Sequence, residues 1–369
     1  MAIPFLKKLE KKIREGIIAL LRNVIHRQRA VPSDLDFNCA KLLCLRQNQI
    51  GDTLISTPIF SALKQHYPNI IIDVLLDKRN ATTLDTNPNI RTRFILKQKL
   101  IDFFKVLLAV RREKYDVIVD LVHTPSSLST LFCLLGRARL TVGFERENDF
   151  IYDVKVPFKR EVRMLRTLAE ILTAFRIAPD AVNLRPFFPL PPSSCAFAEK
   201  VVSLLVGQKV IGVNISASLK LKFWGVKNFA TLIGLLKRDF TDAEFLVLYS
   251  NAYAHEAKQI ATQANAHLCN ETKTLTDFAA VISKLNVLIT PDSAAVHLAD
   301  AFNVPCVILT HNPEHITAWY PSFSESQTVH SKTGEVSSIN VSEVYQVAKN
   351  FVQRFLCFAL MFGMCCLSV

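Results

Sequence analysis

The sequence predicts two α/β domains in tandem, each a parallel sheet with helices on both faces. Three observations predict this. Short apolar runs of strand length alternate with helix-length amphipathic stretches through much of residues 37–340. A proline-rich stretch at 179–193 (Pro179, Pro186, Pro189, Pro191, Pro192) interrupts the alternation, which then restarts. The 369 residues, half of them hydrophobic, suffice for two separate cores.

In the first half, residues 37–45 read as a strand. A helix follows over 53–66, its start set near Pro58, because proline is tolerated in a first helical turn. Ile70–Leu76 reads as a second strand and Tyr115–Leu121 as a buried one with Asp120 at its end. Leu128–Leu135 reads as a helix, Thr141–Phe144 as a short strand, and 161–175 as a long helix. In the second half, strands are expected at Val210–Ile215, Glu244–Tyr249, Val287–Thr290 and Pro305–Leu309. Helices are expected within Trp224–Lys237 and at His255–Gln263, Leu275–Leu285 and Ala294–Phe302. The resulting division is 1–36 (a basic amphipathic segment), 37–185, 186–340, and 341–369 (a helix and hydrophobic tail). Ligands of such sheets bind beyond the carboxyl ends of the strands, near helix N-termini. Two facing sheets place the active site in a central cleft.

The net charge is +12. Residues 1–30 hold eight Lys and Arg against Glu10 and Glu15, a local excess of six. Such a balance attracts nucleic acid, anionic membrane or anionic substrate. No RNP, zinc-finger or other nucleic-acid module is present, which argues against nucleic acid. The nine cysteines are odd in number and lack a C-x-x-C spacing, so they read as reduced, mainly apolar core or tail residues. The ten glycines, against about 25 at average usage, argue against a glycine-rich linker or repeat array. Neither G-x-G-x-x-G nor G-x-x-x-x-G-K-[ST] occurs, which argues against ordinary dinucleotide dehydrogenases and P-loop ATPases.

Leu6, Leu9, Ile13, Ile17, Leu20 and Val24 recur at spacings of three and four, with basic residues on much of the remaining surface. This predicts an amphipathic helix over 3–25, suited to an anionic bilayer surface or to packing on its own protein. Its charges are interleaved with the apolar residues, unlike a signal peptide. At the other end, the uncharged run 355–369 falls short of the about 20 residues that a spanning helix needs.

Three segments carry chemistry, each at a strand-to-helix junction or in a loop after a strand. Arg46–Pro58 contains Gly51, which permits an unusual backbone angle or close ligand approach, followed by Asp52, a helix cap or a reactive carboxylate. Asn214–Trp224 places Ser216, Ser218, Lys220 and Lys222 on a loop where a diphosphate could sit; solvated surface is the plainer reading of the lysines. Thr290–Pro305 places Asp292, Ser293 and Ala294 at a helix start, whose N–H groups can hold phosphate oxygens, with His297 one turn on.

Together these segments resemble glycosyltransferase family 9, the ADP-heptose:lipopolysaccharide heptosyltransferases. The marks are G-D-x-L-x-x-x-P (Gly51 to Pro58), K-x-W (Lys222 to Trp224) and D-S-x-x-x-H-L-A (Asp292 to Ala299), with Val142-Gly143-Phe144 in support. The resemblance spans about residues 40–345, and the order and spacing of the marks make it specific.

It implies a GT-B fold of two Rossmann-like domains and inverting transfer of heptose from ADP-heptose to the Kdo and inner-core region of lipopolysaccharide. By analogy, Asp52 is the general base and Lys222 neutralises the departing diphosphate. Ser216, Ser218, Lys220, Glu256, Asp292, Ser293, Ala294, His297 and Asn312 line the donor site. Gly51, Arg46 and Arg146 serve the acceptor, with Arg91, Arg93, Arg137 and Arg139 as further cations for its phosphates or carboxylates. No cofactor or metal is implied beyond the nucleotide-sugar donor; the partners are a lipid A/Kdo-type glycolipid and the inner-membrane surface, in a cytoplasmic, peripheral enzyme.

The sequence departs from the family at Ala294, where glycine is frequent, and at Gly225, where proline is frequent. The loop before K-x-W also lacks the usual glycine. These departures leave open another nucleotide sugar, or a protein that binds without transferring. His311 and His315 mimic a helical zinc spacing, but Pro313 disfavours the helix, and a loop at the nucleotide pocket including Asn312 is the better reading.

Overall fold

The computed structural model describes residues 30–97, 100–159, 162–205, 209–313 and 318–362, with single positions at 16, 22 and 25; side chains are described as far as Leu356. Apart from those positions, the helix expected over 3–25 lies outside the described residues, as do His315 and the tail beyond Phe362. The chain divides into two compact units, Met1–Leu184 and Arg185–Val369.

The first unit is a six-stranded parallel sheet in the order β3-β2-β1-β4-β5-β6. Its strands are β1 (Lys41–Leu45), β2 (Ile71–Asp77), β3 (Thr92–Leu96), β4 (Val117–Asp120), β5 (Leu140–Phe144) and β6 (Val154–Val156). The helices are α1 (Ile50–Leu54), α2 (Thr57–His66), α3 (Leu100–Glu113), α4 (Ser127–Leu135) and α5 (Met164–Ala169). The central strands are buried along their length, so they read as continuous apolar runs.

The second unit repeats this plan. Its strands are β7 (Lys209–Asn214), β8 (Ala243–Leu248), β9 (His267–Leu268), β10 (Val287–Pro291), β11 (Cys306–Thr310) and β12 (Ser326–His330). They pair in parallel in the order β12-β11-β10-β7-β8-β9. Counted from its own first strand, this is the order of the first sheet. The helices are α6 (Pro192–Ser203), α7 (Val226–Asp239), α8 (Ala254–Gln263), α9 (Leu275–Ile282), α10 (Ala294–Phe302) and α11 (Val341–Phe362).

Local chemistry sets many of the boundaries. Ser126, Thr274 and Ser293 cap α4, α9 and α10 through their hydroxyl oxygens, each accepting a backbone N–H of the first turn. Asn303 ends α10 in the left-handed region at φ 59°, where asparagine is tolerated. Pro58 stands in the first turn of α2, as expected.

Three expectations are corrected. The strand expected over 37–45 starts at Lys41. Residues Phe37–Cys39 form a 3₁₀ turn because Asp36 accepts the N–H of Asn38, and Phe37 turns inward onto the rings of Tyr67 and Phe175. The helix expected over 161–175 is α only through Ala169 and continues as 3₁₀ over Glu170–Phe175. That tighter turn packs on β5 and β6, and the Tyr67 hydroxyl donates to the carbonyl of Phe175 at 2.7 Å. The end of the proline-rich stretch is helical: Pro192 opens α6 at a position where its missing N–H costs nothing.

The described cysteines with described side chains are free thiols. Cys44, Cys133, Cys269 and Cys306 are buried, and burial pushes the thiol of Cys269 up to about 12. No helix among the described residues is long and apolar enough to cross a membrane.

Candidate active site

In a sheet of this order, successive crossovers diverge from the strand pair at which the order reverses, leaving a crevice at the carboxyl ends. In the first unit that pair is β1 and β4; in the second it is β7 and β10. Asp52 lies beyond β1, Lys222 beyond β7, and Asp292 beyond β10.

Asp52 is the third residue of α1, and its carboxylate divides its oxygens between two tasks. Oδ2 accepts the N–H of Gln49 at 3.0 Å, closing the first turn. Oδ1 lies 3.6 Å from His123 Nδ1 and 3.8 Å from Arg46 Nη2. The helix-cap and reactive-carboxylate readings are therefore compatible. The side chain is 11% exposed, with one oxygen anchoring the turn and the other beside two basic groups. Asn48 Nδ2 stands 3.2 Å from the same His123 nitrogen.

The loop carrying Asp52 is fixed from beneath. Arg46 is fully buried; its Nε and Nη2 donate to the carbonyl of Asp52 at 2.9 and 2.6 Å, and its Nη1 to the carbonyl of Leu121. Burial pulls its pKa down while Asp52 and Asp120 oppose the shift, so the guanidinium remains a cation. Asn80, buried beyond β2, donates to the carbonyl of Arg46 and to Thr53 Oγ1, both at 2.7 Å.

Of the three residues expected to serve the acceptor, Arg46 and Arg146 are largely buried and bound within the protein. Arg46 does not present its charge outward: it binds backbone carbonyls because a buried guanidinium needs its donors satisfied. Arg146 is likewise 5% exposed at its side chain, donating to Asp120 Oδ2 at 2.6 Å and to the carbonyl of Val122 and the hydroxyl of Tyr152. Burial pulls the Arg146 pKa down, but Asp120 and Tyr152 more than offset this and raise it. Gly51 sits inside α1 without a left-handed φ, so it supplies no unusual backbone angle. Among the other arginines, Arg91 pairs with Asp73 and Glu113, Arg93 with Asp85, and Arg139 with Asp34 and Asp116, while Arg137 is exposed.

At the second switch point, Lys222 Nζ lies 2.7 Å from Asp292 Oδ2 and 3.3 Å from the Asp292 carbonyl. Both side chains are largely buried. Asn214, ending β7, donates to Thr290 Oγ1 at 2.9 Å and to Ser293 Oγ at 3.4 Å, tying β7 to β10. Ser293 caps α10 and Ala294 is its first residue, so the positive end of the helix dipole lies beside the lysine. His297 is half-buried one turn further on.

Ser216 Oγ accepts the N–H of Ser250 at 2.6 Å, joining the loop beyond β7 to the loop beyond β8. Glu256, in the first turn of α8, and Asn312, beyond β11, are half-buried at the same carboxyl edge. Ser218 and Lys220 are exposed on the β7 loop, outside the Lys222–Asp292 pair. Trp224 anchors that loop: it is fully buried, donates from Nε1 to the carbonyl of Ile339 at 2.9 Å, and meets Phe229 edge-on. The tryptophan of K-x-W thus positions the lysine.

His123 was not singled out from the sequence. Its only signal is its place just beyond a strand reaching the carboxyl edge. Its nearness to Asp52 requires β4 to neighbour β1, which is a property of the sheet.

Two tandem doubly wound units, each with polar side chains gathered at its switch point, form a GT-B-like fold. The model for glycosyltransferase family 9 (heptosyltransferase) matches residues 103–345, and the chain belongs to that family. The chain is 26% identical over 289 residues to lipopolysaccharide heptosyltransferase 3 of Escherichia coli, covering 73% of this chain and 83% of that one. Among solved structures, a family 9 glycosyl transferase from Veillonella parvula superposes with a TM-score of 0.73 at 17% identity, covering 87% of this chain and 99% of that one. The ADP-heptose lipopolysaccharide heptosyltransferase II of E. coli does so with 0.67 at 18%, covering 85% and 99%. The chain is therefore a glycosyltransferase.

Proposed function

We propose that this glycosyltransferase moves heptose from ADP-heptose, with inversion, onto the Kdo and inner-core region of lipopolysaccharide. The observation that carries the reading is the placement of Asp52 and Lys222 at the two switch points of a family 9 chain. The names of the E. coli relatives support the donor and the pathway.

In the proposed step, an acceptor hydroxyl attacks the anomeric carbon from the side opposite the diphosphate. The new C–O bond forms as the bond to phosphate breaks. The hydroxyl proton passes to Asp52 Oδ1, which lies beside His123 while Oδ2 stays held by the N–H of Gln49, and ADP departs with the bonding electrons. Lys222 and the start of α10 stabilise the charge that gathers on the diphosphate, a task that needs no metal. Asp292 holds Lys222 before the donor arrives. Ser216, Ser218, Lys220, Ser293, Ala294, His297, Glu256 and Asn312 complete the donor side. The net charge of +12 and the basic first thirty residues support action at the anionic cytoplasmic face of the inner membrane.

The test is transfer from a panel of nucleotide sugars to Kdo–lipid A and to heptose-deficient core in the presence of EDTA. ADP release that requires both ADP-heptose and acceptor is the expected result. Turnover with a different donor alone overturns the assigned substrate, and dependence on added metal overturns the metal-free step. Asp52→Asn keeps the shape and removes the base, so kcat falls roughly 10²–10⁴-fold with the donor KM little changed. Wild-type turnover in that variant removes Asp52 from the reaction.

A further inference from the structure

Helix α3 has an outer face unlike that of an ordinary α/β helix, which turns charged and polar residues to water. Its buried face is Phe103, Leu107 and Val110. Its outward residues are Ile101, Phe104, Lys105, Leu108 and Arg112, all exposed, which share an arc of about 100° on a helix of 3.6 residues per turn. Ile101 is 69% exposed, Phe104 54% and Leu108 53%. The acids of this helix lie on its flank: Asp102 is half-buried, and Glu113 is engaged by Arg91 and Lys41. The neighbouring helix α4, packed on α3 through the edge-to-face rings of Phe103 and Phe132, adds exposed Leu131, with Arg137 just beyond its end. The face is apolar at its centre and carries exposed cations.

We infer that this face of α3 and α4 docks onto an anionic lipid bilayer, with Ile101, Phe104 and Leu108 entering the interfacial region and Lys105 and Arg112 meeting lipid phosphates. Charge complementarity selects this occupant. The chain carries a net charge of +12, and on α3 the exposed charged residues are the cations Lys105 and Arg112, with both acids half-buried. A second copy related by a twofold axis would bring the same cations together. An anionic bilayer opposes charge with charge while covering the apolar side chains.

The position also suits the chemistry. α3 starts shortly after β3 ends, so Ile101 and Phe104 lie toward the carboxyl edge of the sheet, the edge that bears Asp52. The inference rests on the membrane-surface reading above and specifies which part of the chain makes the contact.

The test uses the full chain with vesicles of phosphatidylethanolamine and phosphatidylglycerol, and with phosphatidylcholine vesicles as the uncharged control. The unaltered protein should sediment with the anionic vesicles and far less with the neutral ones. Combined Ile101→Ser, Phe104→Ser and Leu108→Ser, and separately Lys105→Glu with Arg112→Glu, should each lower the anionic partition by roughly ten-fold or more. Melting temperature and transfer to a short water-soluble acceptor should stay unchanged. Retained binding in the apolar variant, with loss on deletion of residues 1–29, overturns the assignment in favour of the N-terminal segment as the anchor. A fall in melting temperature in the serine variant points to cover by the chain itself, and a changed oligomeric state points to a second copy; either overturns the inference. If the unaltered chain ignores anionic vesicles yet transfers heptose to a detergent-dispersed acceptor, the docking surface falls and the catalytic reading stands.

Discussion

In the proposed mechanism Asp52 as base and Lys222 at the leaving group both need fixed geometry, and each obtains it through a neighbour. Asp52 is held through its own Oδ2 and through Arg46 on its backbone carbonyl. Lys222 is held by Asp292. In the absence of the donor, a neutralised lysine avoids the cost of a largely buried unpaired charge; with a diphosphate present, it has a stronger anion to meet. On the proposed mechanism, Lys222→Ala removes the cation where charge builds in the transition state. Its kcat/KM for the donor should fall by about 10²-fold or more, with kcat reduced and not KM alone; steady-state kinetics over donor concentration checks this. A rise confined to KM would make Lys222 a binding residue only.

At the scale of elements, the K-x-W loop shows how a motif residue can be structural while serving the site. Trp224 is buried in the second core, and Gly225 follows as the residue before α7 with φ 100° and ψ 148°, a region open essentially to glycine. No atom would crowd a β-carbon there, so the requirement is in the backbone alone. Gly225→Ala should therefore destabilise by about 1–3 kcal/mol. Gly225→Pro should do more harm, because proline fixes φ near –65° and would break the entry to α7. Thermal unfolding of both variants checks the order; a stable proline variant would show that the loop has another conformation. Gly143, in the Val-Gly-Phe of β5, answers a different demand, since a β-carbon there would meet the ring of Tyr152. That ring donates its hydroxyl to Asp120 at the first switch point.

For the whole molecule, carboxylates held low by cations and hydrogen-bond donors occur in both units. Arg91, with a smaller contribution from Lys41, keeps Glu113 below its ordinary range against its partial burial. Tyr345 and Lys349 do the same for Asp239, and Lys209 for Asp242. A carboxylate whose folded pKa is depressed stabilises the fold above its unfolded pKa, and this contribution is lost as pH falls through the folded value. The melting temperature should therefore drop as pH is lowered through about 4 and below, less steeply in high salt. Glu113→Gln should flatten part of the drop while slightly lowering the melting temperature at neutral pH. An unchanged acid limb in that variant would remove the Arg91–Glu113 pair as a source of pH sensitivity.

The local grammar of this protein is readable in its sequence. Apolar runs, caps such as Ser293 and the proline of α2 depend on neighbours a few residues away, so both α/β halves and the junction residues Asp52, Lys222, Asp292 and Ser293 could be located from spacing alone. The three motifs pointed to the family for the same reason: each is contiguous. Strand order is different, because pairing β1 with β4 joins residues some seventy positions apart. Only that pairing sets His123 beside Asp52 and buries Arg46 between the two loops. Likewise, residues 170–175 have a helical pattern, but contact with β5 and β6 tightened them to 3₁₀. Local pattern is enough to show the repeated α/β architecture and to single out the junction residues on which the proposed mechanism rests. Which charges turn inward to hold backbone, as Arg46 and Arg146 do, and which apolar side chains stay outside, as on α3, is set only on folding, because burial depends on contacts that no local pattern encodes.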